Sequence, residues 1–258
     1  MSRKKVIGRC HICGSIGNLS FEHVPPQAAF NKQPVRLSKS EALLQKLNTG
    51  DFENLQTIIQ QKGLGRYTLC NKCNNNTGAW YVRDYVDWVY QAAIILLHTS
   101  GKPTLFYQFR IFPLRVIKQI ICMFFSANGP NFRDEHPGLV KFVLDKNENN
   151  LDPQIRIGCY YNPSQVSRQT GIAGVWRNFS RKIHVISEIS HFPFGYIMFI
   201  DTEMHSYGVQ DISFFTRFRW NDWKELSLRI PGYDIYTWYP GDFRSRADIQ
   251  ALVKKRKS

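Results

Sequence analysis

Four cysteines in two pairs are the first residues whose type and spacing can do chemistry. Cys10 and Cys13 stand in CHIC, Cys70 and Cys73 in LCNKC. Two thiolates at that spacing grip one tetrahedral ion from one side of a turn, and two such pairs complete a four-thiolate shell. Thiolates favour zinc over hard, oxygen-seeking cations, so structural Zn2+ is expected there. Between the pairs lie 56 residues, 14 through 69. That exceeds the gap of a simple zinc ribbon, so an element is expected between them. Cys122 and Cys159 stand alone in apolar segments and read as buried thiols.

A second group supplies nitrogen and oxygen. FEHVPP, residues 21–26, places Glu22 beside His23. On a strand these side chains point to opposite faces, so they need separate jobs or a local kink. Pro25 and Pro26 stop regular pairing just afterwards. CNNNTG, residues 73–78, sets Asn74, Asn75 and Asn76 directly after a candidate ligand, at the expected start of a helix. Asparagine is a poor helix former, and capping explains at most one of the three.

Taken in order, CxxC, a Glu-His-Val-Pro strand, the Asn-Leu segment ENLQ (53–56) and LCxxCN resemble the HNH endonuclease family of ββα-metal, or His-Me finger, nucleases. The resemblance covers residues 10–79. The stretch GRYTLCNKCNNNTGAWY (65–81) is also similar to a group of bacterial HNH proteins of comparable size, which resemble defence or mobile-element nucleases. The resemblance implies a zinc-stapled, treble-clef-like ββα-metal module. It makes His23 the general base and Glu22 the acidic ligand of a catalytic ion. Asn74 becomes the first residue of the catalytic helix and a ligand of the same ion, with Asn75 competing for that role. Asn54 matches the middle asparagine that braces the hairpin loop. Glu22 departs from the Asp usual in the family, and 14 residues separate Leu55 from Cys70.

The chemistry also follows from the residues themselves. A phosphodiester is anionic and resists attack. An imidazole ordinarily titrates near about 6.5, so it can activate water at neutral pH. A hard divalent ion held by carboxylate and amide oxygens stabilises charge developing on the phosphate and leaving oxygen. Glu22 and Asn74 offer such oxygens. Mg2+ is the expected catalytic ion, with Mn2+ or Ni2+ as substitutes. Arg66 and Lys72 are candidate phosphate contacts, and equally ordinary surface charges.

The elements that must position these groups read as an α+β chain in two parts. Residues 1–98 form the zinc module and a following helix; residues 99–258 form a strand-rich mixed α/β domain with a basic tail. Over 80–98 the stripe Trp80, Val82, Val86, Val89, Tyr90, Ala93, Ile94 and Leu97 predicts a helix packed on the core. Residues 104–112 predict a strand and 114–127 a helix. Strands are expected over 139–144, 155–161, 182–189, 195–200, 212–220, 225–230 and 234–239, and a short basic helix over 245–257. Trp176, Trp220, Trp223 and Trp238, beside Arg177, Arg217 and Arg219, can stack bases or pack a core equally well.

Charge points to a polyanion. The chain carries +14, from 34 Lys and Arg against 20 Asp and Glu. Residues 1–40 hold seven of the cations against Glu22 alone, and residues 244–258 hold six against Asp248 alone. DNA is the expected partner, with RNA as the alternative. No apolar run is long enough to cross a bilayer, and no secretory h-region follows the basic start, so a cytoplasmic location is expected. The C-terminal region is expected to bind DNA, a second copy or regulatory protein, or a ligand. The rivals to the enzyme are a non-catalytic zinc module that binds nucleic acid, and a nuclease effector that a partner or ligand activates.

Overall fold

Fourteen of the fifteen residues of one helix, Pro113–Ala127, are buried, and the fold is arranged around it. The computed structural model describes residues 5–38, 57–99, 104–164, 166–177 and 181–255. Strands β1 (Val6–Arg9), β2 (Ile16–His23) and β5 (Gly65–Cys70) form an antiparallel sheet in the order β1-β2-β5. Between β2 and β5 in sequence, β3 (Val35–Ser38) and β4 (Thr57–Gln60) pair as a separate ribbon. Helix α1 (Asn71–Thr77) begins where β5 ends. A π-helical turn, Gly78–Val82, leads on into α2 (Arg83–His98).

Next come β6 (Thr104–Ile111), the buried helix α3 (Pro113–Ala127), and the short helices α4 (Phe132–Glu135) and α5 (Pro137–Leu144). Strands β7 (Ile155–Tyr161), β8 (Arg168–Arg177), β9 (Lys182–His191), β10 (Phe194–Ile200) and β11 (Gln210–Asp211) form a five-stranded antiparallel sheet in the order β11-β7-β10-β9-β8. Strand β12 (Lys224–Pro231) pairs with β6, and helix α6 (Arg246–Lys255) ends the described chain. The architecture is mixed α/β, with several sheets and few helices.

Helix α3 starts well because Pro113 fixes φ in its first turn, where no amide partner is needed. It stops where Asn128 turns extended and caps the carbonyl of Phe124 at 2.8 Å. A helix apolar on every side must lie inside the molecule. Lys118 is the one charged residue buried in it. Its ammonium donates to the carbonyls of Phe142 and Asp145, which α5 leaves unpaired at its C-terminal end. Burial pushes this amine down to about 8.

The same helix bridges the two larger sheets. On one side Ser126 accepts from Thr68 of β5 at 3.0 Å, and the Phe125 carbonyl accepts from His11 Nδ1 at 2.9 Å. On the other, Asn128 donates to Ser187 of β9 at 3.3 Å. One apolar cluster accordingly runs from Cys10 and Leu69 through Tyr81, Trp88 and Phe124 to Ile189, Met198 and Ile230. Cys122 and Cys159 are buried free thiols, as expected. Among the described residues, no helix is long and apolar enough to cross a membrane.

Five segments differ from what the sequence predicts. The buried face of α2 is Tyr85, Trp88, Val89, Ala92, Ala93 and Ile95, whereas Tyr90, Ile94 and Leu97 are exposed. The π-helical turn ahead of the helix inserts an extra residue, which rotates the face relative to a 3.6-residue count begun at Trp80. Residues 139–144 are helical, not a strand. Pro137 opens that helix and Lys118 satisfies its end, context that a six-residue apolar run does not contain. Within 212–220 the chain forms a 3-10 helix, Ser213–Arg217, started by the Asp211 carboxylate accepting from the Ser213 amide at 2.7 Å. Residues 234–239 are irregular. Strand β8 went unread because Gly171 and Gly174 interrupt its pattern.

Phe124→Ala should lower stability in urea by about 3–5 kcal/mol. Leu97→Ala, at a side chain 80% exposed, should stay within about 0.5 kcal/mol. Equal effects would mean that α3 is not the centre of the fold.

Candidate metal centre and hairpin site

The turn after β1 carries the first cysteine pair. Cys10 donates its amide to the Ser15 carbonyl at 2.9 Å, and Gly14 donates back to the Cys10 carbonyl at 2.9 Å. Gly14 has φ +77°, a backbone conformation that favours glycine, and the Arg133 guanidinium packs against it. Arg133 donates to the Ile12 carbonyl at 3.0 Å, and Arg9 grips Asp134 through both oxygens at 2.6 and 2.8 Å. Helix α4 thereby holds the turn from outside. The second pair straddles the junction of β5 and α1, where Cys70 caps the helix by accepting the Cys73 amide on sulfur.

These elements bring all four sulfurs within 4.8 Å of one another. Metal–sulfur bonds of about 2.3 Å define a tetrahedron with edges of about 3.8 Å. The Cys13–Cys70 sulfur separation is 3.7 Å. Cys10 and Cys73 are buried. The hydrogen bond between Cys10 and Cys73 pulls the Cys10 thiol down and pushes that of Cys73 up. Sulfurs this close compete for one proton, and a cation satisfies them all. The four cysteines together can hold a metal such as zinc.

The sheet beside this cluster carries the other candidates. Strand β2 pairs with β5 so that Glu22 faces Arg66 and His23 faces Gly65, with an extra β5 residue opposite Ser20 and Phe21. Ser20 and Glu22 lie on the face covered by α1 and α3. There Asn74 donates to Ser20 Oγ at 3.0 Å and to the Phe21 carbonyl at 3.4 Å. Glu22 is 9% exposed, and burial pushes its carboxyl up to about 8. Its charge helps push up the Cys122 thiol of α3.

His23 takes the opposite face. Its ring lies edge-on to Phe21 at 4.9 Å, and Phe21 lies edge-on to Tyr67 at 5.3 Å. At the strand's end, His23 Nε2 sits 2.9 Å from the Lys62 carbonyl. A carbonyl only accepts, so Nε2 carries a proton, and in the neutral ring the lone pair is then on Nδ1. The structure thus places Glu22 and Asn74 on one face of β2, and His23 around its end on the other. Asn75, Arg66 and Lys72 are exposed on α1 and β5. Asn54 lies outside the described residues.

One residue at this hairpin went unnoticed in the sequence. Asn31 is buried, donates to the carbonyls of Pro25 and Leu64 at 2.6 and 2.7 Å, and accepts the Leu64 amide at 2.6 Å. It ties the segment after His23 to the loop that presents the Lys62 carbonyl. Gly63, at φ +79°, allows the contact, since a Cβ there would fall 2.0 Å from the Asn31 carbonyl oxygen. The available signal was an asparagine following the apolar PPQAAF segment, short of the next strand.

The chain matches no protein-family model, no curated protein and no solved structure.

The burial of Glu22 has a pH consequence. Below the usual carboxylate range, near about 4.3, folded and unfolded chains both hold its proton. Between there and about 8, only the unfolded chain releases it. Without added Mg2+, stability should therefore fall with rising pH across that window, by at most about 1.4 kcal/mol per unit. Glu22→Gln should flatten the decline in chemical denaturation curves. A wild-type curve no steeper than that of the variant would refute the assignment.

Proposed function

We propose that the chain is a metal-dependent endonuclease of the HNH type that hydrolyses phosphodiester bonds in DNA. On this reading the cysteines hold structural zinc in a treble-clef-like ββα-metal module within residues 1–98, and residues 99–258 form a second domain. The observation that carries the proposal is the state of His23. Its Nε2 is fixed by the Lys62 carbonyl, which leaves Nδ1 of the neutral ring to take a proton from water, while Glu22 on the opposite face of the strand and Asn74 of α1, packed over that face, offer oxygens.

Glu22 and Asn74 would hold Mg2+ or Mn2+; Asn74 binds Ser20 through its amide nitrogen, which leaves Oδ1 for a ligand. When bound, such an ion supplies charge stabilisation at phosphorus and at the leaving oxygen. Asn31 takes the bracing role first considered for Asn54, because its three hydrogen bonds fix the loop that orients the imidazole. Arg66 and Lys72 are exposed on the flanking strand and helix, where they can meet phosphates. The excess of 14 positive charges favours a nucleic acid partner.

The burial of Glu22 favours one second reading, a zinc module that binds nucleic acid without turnover. Plasmid DNA incubated with Mg2+ or Mn2+ separates the two. The zinc-loaded protein should nick or linearise it, and His23→Ala with full zinc content should lose at least about a hundredfold in rate. Equal cutting by both proteins would place the activity elsewhere. Binding by both without cutting would establish the second reading.

A further inference from the structure

Two more rings share the His23 face of the hairpin, and the role given to His23 uses neither. Phe21 stands two residues before it on β2, and Tyr67 lies opposite Phe21 on β5. The Phe21 ring is edge-on to both neighbours, its plane 76° from that of His23 and 79° from that of Tyr67. The three rings form a row that starts at the imidazole and ends at the phenol.

Backbone geometry makes this row. Gly65 pairs with His23, and a Cβ there would fall 2.6 Å from Phe21 Cε1, so glycine leaves the space that the ring fills. The bulge in β5 aims the phenol. Leu69 is fully buried, and in an unbroken strand Tyr67, two residues before it, would share its face. Here the extra residue, Thr68, turns inward and donates to Ser126 of α3, and Tyr67 is left 47% exposed opposite Phe21. Bulges re-aim side chains in this way, often beside a functional site.

Exposure leaves the phenol free to take a partner. An edge contact engages at most one of its faces, so the other stays in water. Its hydroxyl has no hydrogen-bond partner among the described residues, so the ring is not held there by its polar end. A flat partner laid on the open face removes apolar surface from water.

The flanks supply positive charge. Gln61, Lys62 and Arg66 are exposed, and neither cation makes an ion pair among the described residues. Lys62 belongs to the loop whose carbonyl holds His23 Nε2, and Arg66 adjoins Tyr67 in β5. The buried core of a protein interface is poor in charge. One exposed ring between unpaired cations suits a base and its phosphates instead. In a duplex each base is already stacked between its neighbours, whereas an unpaired base offers a free face.

We propose that Tyr67, backed by Phe21, stacks an unpaired base next to the phosphate at His23, so the site prefers single-stranded or locally opened DNA to closed duplex. The placing of that phosphate rests on the nuclease reading; the stacking contributes to binding, not to the chemical step. Fluorescence anisotropy on the full zinc-loaded chain, without Mg2+ or Mn2+ so that nothing is cut, compares a labelled single strand with its own duplex. The wild type should bind the single strand more tightly. Tyr67→Ala should weaken that binding at least about fivefold and leave the duplex affinity unchanged. Tyr67→Phe, which keeps the ring, should keep the preference. Arg66→Gln should weaken both ligands and reduce the dependence on salt. Far-UV circular dichroism and zinc content check that each variant folds. A duplex bound as tightly as the strand overturns the proposal. So does Tyr67→Ala that leaves the strand affinity unchanged or weakens both ligands equally, or a protein that binds neither. A chain that shows the preference but never cuts loses the hydrolysis and keeps the stacking site; one that cuts without the preference does the reverse.

Discussion

The convergence of four sulfurs fixes the geometry on which the N-terminal third depends. Cys10 and Cys13 belong to the turn between β1 and β2, while Cys70 and Cys73 belong to the junction of β5 and α1. Joining these points sets β2 against β5 and sets the first turn of α1 over β2. That places Asn74 above Ser20 and beside the face that carries Glu22. The three-stranded sheet is short, and an isolated sheet of this size buries little apolar surface. A metal closing the cluster would add binding free energy to folding free energy.

The second constraint is α3. Its flanks are so thoroughly covered that the small sheet and the large one pack on opposite sides of a single helix. Hydrogen bonds at Ser126 and Asn128 make that relation specific as well as apolar. Glu22 is buried, and its raised carboxyl follows from that burial.

Much of this was legible in the sequence because it rests on local spacing. The two CxxC pairs announced the cluster, and the 56 intervening residues announced an inserted element, though not its form. Strands β6, β7, β9, β10 and β12 follow from apolar runs between turns, and α3 from its periodic stripe. What failed has a common cause. The Leu139–Leu144 helix is decided by Lys118, 21 residues before it, and the buried face of α2 by a π-helical turn. The bracing role of Asn31 depends on backbone groups at Leu64, across an intervening ribbon. Opposite placement of Glu22 and His23 was legible from strand alternation. The Lys62 carbonyl that selects the tautomer was not, because no side chain marks it.

Elemental analysis of the purified chain, joined to its near-ultraviolet circular dichroism and melting before and after zinc removal, tests the dependence on the sulfur cluster most directly. The account predicts about one zinc per chain, bound through sulfur. It also predicts that removal by a thiol-competent chelator abolishes the tertiary signal of the first third, and that added zinc restores it. A metal-free protein with an unchanged spectrum and melting temperature would contradict the account, since the hairpin would then be positioned by packing alone.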